Sequence, residues 1–587
     1  MKKLTPLLAL WLALATSLLA GTAAKSIWTQ ALGADAKWYQ LTSAGTLLVG
    51  TAEALVSVNP DDGKVLWKRA DIAKSTRNNA VEIAGTPWIV ANNFAGLGNS
   101  KVTMQALDLL TGETVWKTPQ MNGQYLDTIA APHKGLVIFV LQTWGEKDDG
   151  IYLRAHDLAT GAAKWSVKFC KSQGIPLHLA DGSGKFMPTM DLSGYHDPVF
   201  DGDEMFLGYL GIHCIDLNTG AIKWGVDFPP GAKGLKKTYA PLRLEGDMIY
   251  GAGGGSVVAV NRRTGQQVWK SERISEYAGL FKARDNAIVS QLEVVDGKIF
   301  ARFGGNFSDG NQVLLREPLG VVVLDGATGN PIYKDQKIEG GLTNLMVLPE
   351  AHAVMFADGK ELVGLSTQGA TVTETFRVPI EFKRKMGGSD VAKIGLGLTG
   401  GLMGTIKAVS SSSKARLDVP VAITRQNGHI VVQGKQHLLG FDPLAKQQKW
   451  SLYYAAPSDA FATLAMFAVT ALASAQGNMQ VAQNGGILNS GGQQGMNNIQ
   501  SALDRYNSYT EKRAARAGGS KATESYTYIV TKLPKSGLGL YGVNLASGET
   551  DREIALGAKD PDYLADEKTG RVYYFKDHDT IVAYAFN

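Results

Sequence analysis

Cysteine is nearly missing from this chain: 587 residues contain only Cys170 and Cys214, so no disulfide scaffold organises the fold. An oxidising compartment permits those two to pair, and their spacing leaves the matter open. Histidine is also sparse, and His133, His156, His178, His196, His213, His352, His429, His437 and His578 show no close metal-ligand spacing. Each reads as a surface or loop residue. Charge of one sign is lacking too. The formal net charge of +5 drops by two once Lys2 and Lys3 are removed, too little to argue for a nucleic-acid partner. Absent as well are a Gly-x-Ser-x-Gly nucleophile elbow, a P-loop and a Cys-x-x-Cys-His haem attachment site. The glycine-rich stretch from Gly251 to Ser256 joins two predicted strands instead of opening a helix, so phosphate binding is not expected there. Asp61 and Asp62, like Asp201 and Asp203, sit beside glycines in turn contexts, where a turn role is the simpler explanation.

What is present begins with an export signal. Lys2 and Lys3 precede an apolar run from Leu4 to Ala20, and small residues at Thr22 and Ala24 follow. Residues 1–24 are expected to be a signal peptide cleaved before Lys25, in preference to a membrane anchor, because the run is near the lower limit of spanning length and lacks a charged flank after it. No cysteine follows Gly21, where a lipoprotein signal would need one; Thr22 stands there. The mature chain is expected in the periplasm or at the cell surface.

One phrase recurs along nearly the whole chain. Residues 106–116 read Ala-Leu-Asp-Leu-Leu-Thr-Gly-Glu-Thr-Val-Trp, and close copies end at Trp165 and Trp224. A copy ending at Trp269 has Asn261 in place of the aspartate. Looser copies end at Trp67, Tyr333 and Trp450, and one around Asn544 and Gly548 has lost its aromatic. The residues before the aspartate alternate as a strand, and Asp or Asn can bind backbone amides of a turn. Glycine at 112, 161, 220, 265 and 329 supplies the positive φ of a short hairpin loop. The tryptophan that follows has enough apolar area to seal the gap between neighbouring sheets. Short β-rich runs precede the phrase, as at Leu47 to Gly50, Met248 to Gly251, Lys298 to Ala301 and Ile430 to Val432. One repeat is therefore a small antiparallel sheet, too small to bury both faces alone.

Radial stacking into an all-β propeller of four-stranded blades buries those faces and protects the edges, and is preferred to a β-sandwich or several small β domains. The stretch from Ser26 to Leu32 resembles an aromatic outer strand without predecessors, while Arg571 to Phe575 and Thr580 to Tyr584 resemble inner strands without an outer one. The two ends are expected to complete one blade. Candidate inner strands number about ten, with weak ones near Val363 and the C-terminus. The propeller is assigned to residues 25–587.

Three segments break the period. Residues 171–196 read as an elaborated loop. Residues 383–416 form a Gly-rich insertion in which Gly397 and Gly401, and Gly400 and Gly404, have the spacing of closely packed helices. Residues 457–522 form a helical insertion with an Ala-rich stretch from Ala460 to Ala475, then an amphipathic helix with Met496, Ile499, Leu503 and Tyr506 on one face, then Lys512, Arg513 and Arg516. The apolar faces of 383–416 and 457–522 are expected to pack on each other or on the propeller rim; the alternative is a platform for peripheral membrane contact or partner binding.

The Asp-x-x-Thr-Gly-x-x-x-Trp phrase resembles the PQQ-repeat, quinoprotein alcohol dehydrogenase-like propeller superfamily. Within it the chain resembles the branch typified by the periplasmic propeller lipoprotein of the outer-membrane β-barrel assembly machine. That resemblance implies eight blades, against the ten counted, and a protein-binding scaffold without quinone. Dehydrogenases of the superfamily hold their quinone beneath adjacent cysteines, with calcium and a catalytic aspartate; Cys170 and Cys214 are far apart in sequence. No catalytic, cofactor-binding or metal-binding residue is therefore assigned. The expected function is non-catalytic binding of a protein or cell-envelope component, with no cofactor. The alternative is a PQQ-dependent oxidoreductase carrying Ca2+ or another divalent metal on the propeller axis, and carbohydrate recognition by exposed aromatics is a third option.

Overall fold

The computed structural model describes residues 22–586, leaving aside 171–196, 229–239, 275–287, 381–418, 455–500, 508, 510–525 and short turns or single residues at 78, 96–99, 144–149, 254, 310–311, 336–337, 339–340, 427, 435–436, 534–536, 559–560 and 567. Ten separate sheets fill this span. In chain order they are blades 1 (36–69), 2 (80–117), 3 (124–170), 4 (199–227), 5 (243–270), 6 (289–335), 7 (346–379), 8 (422–453), 9 (526–555) and 10 (562–585). Eight of these run antiparallel from an inner to an outer strand; blade 2 adds Met121–Asn122 on its third strand. The count is ten, and the eight implied by resemblance is corrected.

The ends close the ring as expected. Lys25–Ala31 pairs antiparallel with Thr580–Ala585 and supplies the outer strand of blade 10. Blade 9 departs from the plan. Its described antiparallel strands are Tyr526–Leu533, Gly537–Asn544 and Thr550–Ala555, and Thr22–Ala23, which precedes the cleavage expected before Lys25, pairs in parallel with the outer edge.

Burial on both faces explains the strand sequences. In blade 3 the second strand, Leu136–Thr143, is buried at every position. Leu136, Ile138 and Val140 pack towards blade 4, while Val137, Phe139 and Leu141 pack towards blade 2. Such a strand reads as an unbroken apolar run. Among the described residues, ten apolar clusters each span one seam between neighbouring blades, the last joining Leu47, Val49 and Val56 of blade 1 to Tyr573, Phe575 and Ile581 of blade 10. That circular sequence of contacts is what makes the array a propeller.

The repeated phrase forms the turn between the third and outer strands. In blade 2 the Asp108 carboxylate accepts the N–H groups of Leu110 and Thr111, both at 2.9 Å, and Gly112 takes φ 70°. The outer strand then bulges one residue before its tryptophan, between Thr114 and Trp116, which re-aims the indole across the seam. The bulge recurs in all ten blades at the same place.

Across the seam each tryptophan meets the next blade's turn. Trp67 lies so close over Gly112 that a Cβ there would sit 2.5 Å from the ring, and its indole N–H donates to the Leu109 carbonyl at 2.9 Å. Trp28, Trp116, Trp165, Trp224, Trp269 and Trp450 repeat the latch on Gly63, Gly161, Gly220, Gly265, Gly329 and Gly548. Here glycine is needed twice, for its positive φ and for its bare face.

Three seams lack the latch. Tyr333 holds its position in blade 6 and donates to Glu374 of blade 7 at 3.0 Å, and Phe376 of blade 7 packs 5.1 Å from Phe441 of blade 8. In blade 9 the position is Arg552, and it faces a blade 10 whose third and outer strands, Thr580–Ala585 and Lys25–Ala31, are paired but not joined by a turn. The Arg552 guanidinium instead lies 3.5 Å from the Tyr526 ring centre and 4.7 Å from that of Phe586.

Candidate functional site

The turns of the repeated phrase share one face of the ring with the connections between the first and second strands. On this turn face, the turn aspartates of blades 2, 3 and 4 each spend one carboxylate oxygen on backbone amides and turn the other towards a cation. In blade 3 the second oxygen of Asp157 meets Lys164 at 3.1 Å, and in blade 4 that of Asp216 faces Lys223 at 3.9 Å. Both lysines are the bulge residue of their own outer strand. Blade 2 has Val115 at that position, and the second oxygen of Asp108 instead receives Arg505 at 2.8 Å.

Arg505 arrives on a helical segment, 501–507 with Tyr509, from the insertion between blades 8 and 9. Tyr506 is buried in the seam between blades 1 and 2, beside Trp67, Ile72 and Leu48, and its hydroxyl hydrogen-bonds Ser43 at 2.7 Å. Glu82 of blade 2 anchors the same serine by accepting from its N–H at 2.8 Å. Leu503 packs against the cluster between blades 2 and 3, and the Tyr509 hydroxyl donates to Asn59 of blade 1 at 3.4 Å. Of the amphipathic face expected from the sequence, Leu503 and Tyr506 do pack on the propeller, while Met496 and Ile499 lie outside the described residues, as do 383–416. Asp108 was expected from the sequence only as a turn residue, a role it keeps through Leu110 and Thr111, while its pairing with Arg505 and the anchors Ser43 and Glu82 were not singled out.

The potentially reactive groups are dispersed. His156 bonds the Gly161 carbonyl at 2.9 Å beside Phe139, and His213 bonds that of Tyr209 at 3.2 Å against Phe169. Burial holds both imidazoles below their usual ionisation range. His133 lies near Gly202, His437 against Tyr453 and His578 beside Asp562, on separate blades; His352 occupies a left-handed turn position and His429 opens the second strand of blade 8. His178 and His196 lie outside the described residues. Cys170 and Cys214 are both free thiols, packed into different seams on either side of blade 4, and burial pushes each up to about 12. Asp61 pairs with Arg571 at 2.7 Å and Asp62 with Lys64 at 2.8 Å, while Asp201 pairs with Arg262 and Asp203 with Lys134. For Asp61, Asp201 and Asp203 these pairs are bridges between neighbouring blades, while Asp62 pairs within its own turn. Gly251 to Ser256 lies in a hairpin between Met248–Gly253 and Ser256–Asn261.

A quinone site of the dehydrogenase kind needs adjacent thiols and a metal donor set. Cys170 and Cys214 do not supply the first, and among the described residues no group of three or more His, Cys, Asp or Glu side chains is placed to share a metal ion. Among the described residues, too, no helix is long and apolar enough to cross a membrane.

Comparison with known proteins follows the blades. A family model described as outer membrane protein assembly factor BamB matches residues 28–166 and 147–336. The outer membrane protein assembly factor BamB of Yersinia pestis is 32% identical over 243 residues, which cover 40% of this chain and 56% of that protein. The chain thus spans little more than half the length of this curated relative. Among solved structures, BamB from Moraxella catarrhalis is 14% identical with a TM-score of 0.33, covering 72% of this chain and 97% of its own. A quinohemoprotein alcohol dehydrogenase from Pseudomonas putida HK5 is 12% identical with a TM-score of 0.31, covering 96% of this chain and 76% of its own. Together the matched segments run from the Trp28 latch through blade 6, more than half of the chain, and the chain belongs to the BamB family of PQQ-repeat propellers.

Proposed function

We propose that this chain is a non-catalytic scaffold of the bacterial cell envelope, exported to the periplasm, that binds a protein partner during outer-membrane protein assembly. Family membership supports the assembly role, and the N-terminal pattern of Lys2, Lys3 and the apolar run supports export. The observation that carries the reading is the turn face itself. Its polar groups receive a polypeptide segment, as the exposed Ser43 and the nearly buried Asp108 receive Tyr506 and Arg505. Among the described residues, the histidines, thiols and turn carboxylates named above are instead spent on turns, seams and salt bridges.

A photo-crosslinking amino acid placed on the turn face, for example at Leu444, which is 70% exposed, tests this in the native host. The expected result is a discrete crosslink to a protein of the outer-membrane assembly machinery, and a loss of outer-membrane β-barrel proteins when the chain is depleted. Unchanged outer-membrane protein levels together with no envelope crosslink would defeat the proposal. Adding PQQ and Ca2+ to the purified chain should give neither a new absorbance band nor a thermal shift; saturable binding of both would favour the oxidoreductase alternative.

A further inference from the structure

We infer that the groove between blades 1 and 2 on the turn face is a helix-docking site, and that residues 501–507 with Tyr509 are its built-in, displaceable occupant. The inference deepens the scaffold reading and rests on it.

Selectivity comes from the propeller side. The groove is formed by Ser43 and Glu82 in or beside the first connections and by Asn59 and Asp108 in the turns. Blades 3 and 4 neutralise their turn aspartates with Lys164 and Lys223, so those carboxylates are already occupied. Blade 2 puts the apolar Val115 at the same position, which is 36% exposed, and leaves the almost fully buried Asp108 carboxylate to a cation from another segment. A buried carboxylate without a cation is costly, so this seam specifically requires a basic guest.

The guest fits in register. Arg505 reaches Asp108, and the next residue, Tyr506, inserts its ring beside Trp67 while its hydroxyl reaches Ser43. Leu503 and Tyr509 lie two and four residues from Arg505 and touch the neighbouring turn structure on either side. The recognised pattern is a short helix with a basic residue directly before an aromatic and an apolar residue two positions earlier.

Displaceability follows from topology. The segment belongs to the insertion between blades 8 and 9, yet it docks on blades 1 and 2, with blades 9 and 10 between. No blade strand depends on it: each strand of blades 1 and 2 finds its partners without it. Arg505 is 45% exposed, so its half of the ion pair is open to competition. A partner helix of the same chemistry would compete for Asp108 and Ser43, and the cis segment would gate access.

The test uses the full mature chain and a labelled peptide of residues 497–512. The wild-type chain should bind the peptide weakly. Arg505→Glu combined with Tyr506→Ser, which disables the cis segment, should bind it at least tenfold more tightly, and adding Asp108→Lys should abolish that gain. A folded Arg505→Glu/Tyr506→Ser protein that fails to bind, or whose binding ignores Asp108→Lys, would overturn the inference. Should that variant fail to fold, hydrogen exchange on the wild-type chain decides: amides of 501–507 and Tyr509 should exchange far faster than those of Leu47–Thr51. Equal protection would make the segment a fixed part of the fold. Because no envelope partner enters this assay, its failure leaves the crosslinking test of the scaffold reading intact.

Discussion

Two arcs of the ring use the same strands and seal them differently. From blade 10 round to blade 6, six consecutive seams carry a tryptophan pressed on a glycine of the next turn, with the indole N–H bound to that turn's carbonyl. From blade 6 to blade 8 the latch is gone, and the seal moves to the inner strands. Gln291 of blade 6 grips Leu345 with both amide atoms, accepting from its N–H at 2.8 Å and donating to its carbonyl at 2.9 Å. Asn344 of blade 7 grips Ile423 of blade 8 in the same way, at 2.8 and 3.0 Å. Between blades 9 and 10 the Arg552 ring contacts are joined by Tyr563, which donates to the Tyr528 carbonyl at 2.9 Å. A seam can therefore be held from the rim or from the axis, and the insertions 383–416 and 457–522 fall in the arc with fewer rim latches.

The two arcs should differ most when the ring at the rim is removed. Trp116→Ala in the latched arc deletes a ring that is 6% exposed together with its hydrogen bond, and should cost about 4 kcal/mol in denaturant unfolding. Tyr333→Ala, at a half-exposed position of the unlatched arc, should cost about 1 kcal/mol. Equal losses would erase the distinction.

Glycine substitutions sharpen it. Gly161→Ala places a Cβ 2.6 Å from Trp116 at φ 70° and should lose about 3 kcal/mol. Gly369→Ala also has positive φ, 79°, but nothing nearer than the Thr371 carbonyl oxygen at 3.9 Å, so only backbone strain of about 1 kcal/mol is expected. Asn344→Ala should then cost about 2 kcal/mol by leaving the N–H and carbonyl of Ile423 unpaired in the inner seam. A loss near zero would mean that the clasp does not hold blades 7 and 8 together.

The smallest effect is one of pH. His156 and His213 are buried in the latched arc with ionisation lowered from an ordinary value of 6.5, so folding favours their neutral forms. Their contribution is present above that value and is lost as pH falls through the lowered pKa. Thermal melts should show stability declining below about pH 6.5, and His213→Gln should flatten the decline.

What was legible in the sequence tracks the latch. Trp67, Trp116, Trp165, Trp224, Trp269 and their glycines announced blades 1 to 6, and Trp28 announced the closing strand, because the latch demands particular residues at a fixed spacing. Phe376 and Arg552 hold the same structural position with no shared chemistry, so blade 7 was weak in the sequence and the lost aromatic of blade 9 faces a blade 10 whose third and outer strands are not joined by a turn. The clasps of Gln291 and Asn344, and the Arg505 to Asp108 pair, join residues distant in sequence, which no local pattern encodes. The recurring bulge was also hidden, since its occupants range from Val115 to Lys164 and Asp551.

Residue-resolved hydrogen exchange on the intact chain tests this account most directly. The outer strands Thr114–Lys117 and Ala163–Cys170, whose tryptophans latch onto the next blade, should be more protected than the unlatched outer strands Glu374–Pro379 and Thr550–Ala555. Uniform protection around the ring, or the reverse order, would contradict the claim that the tryptophan and glycine latch is what welds this propeller together.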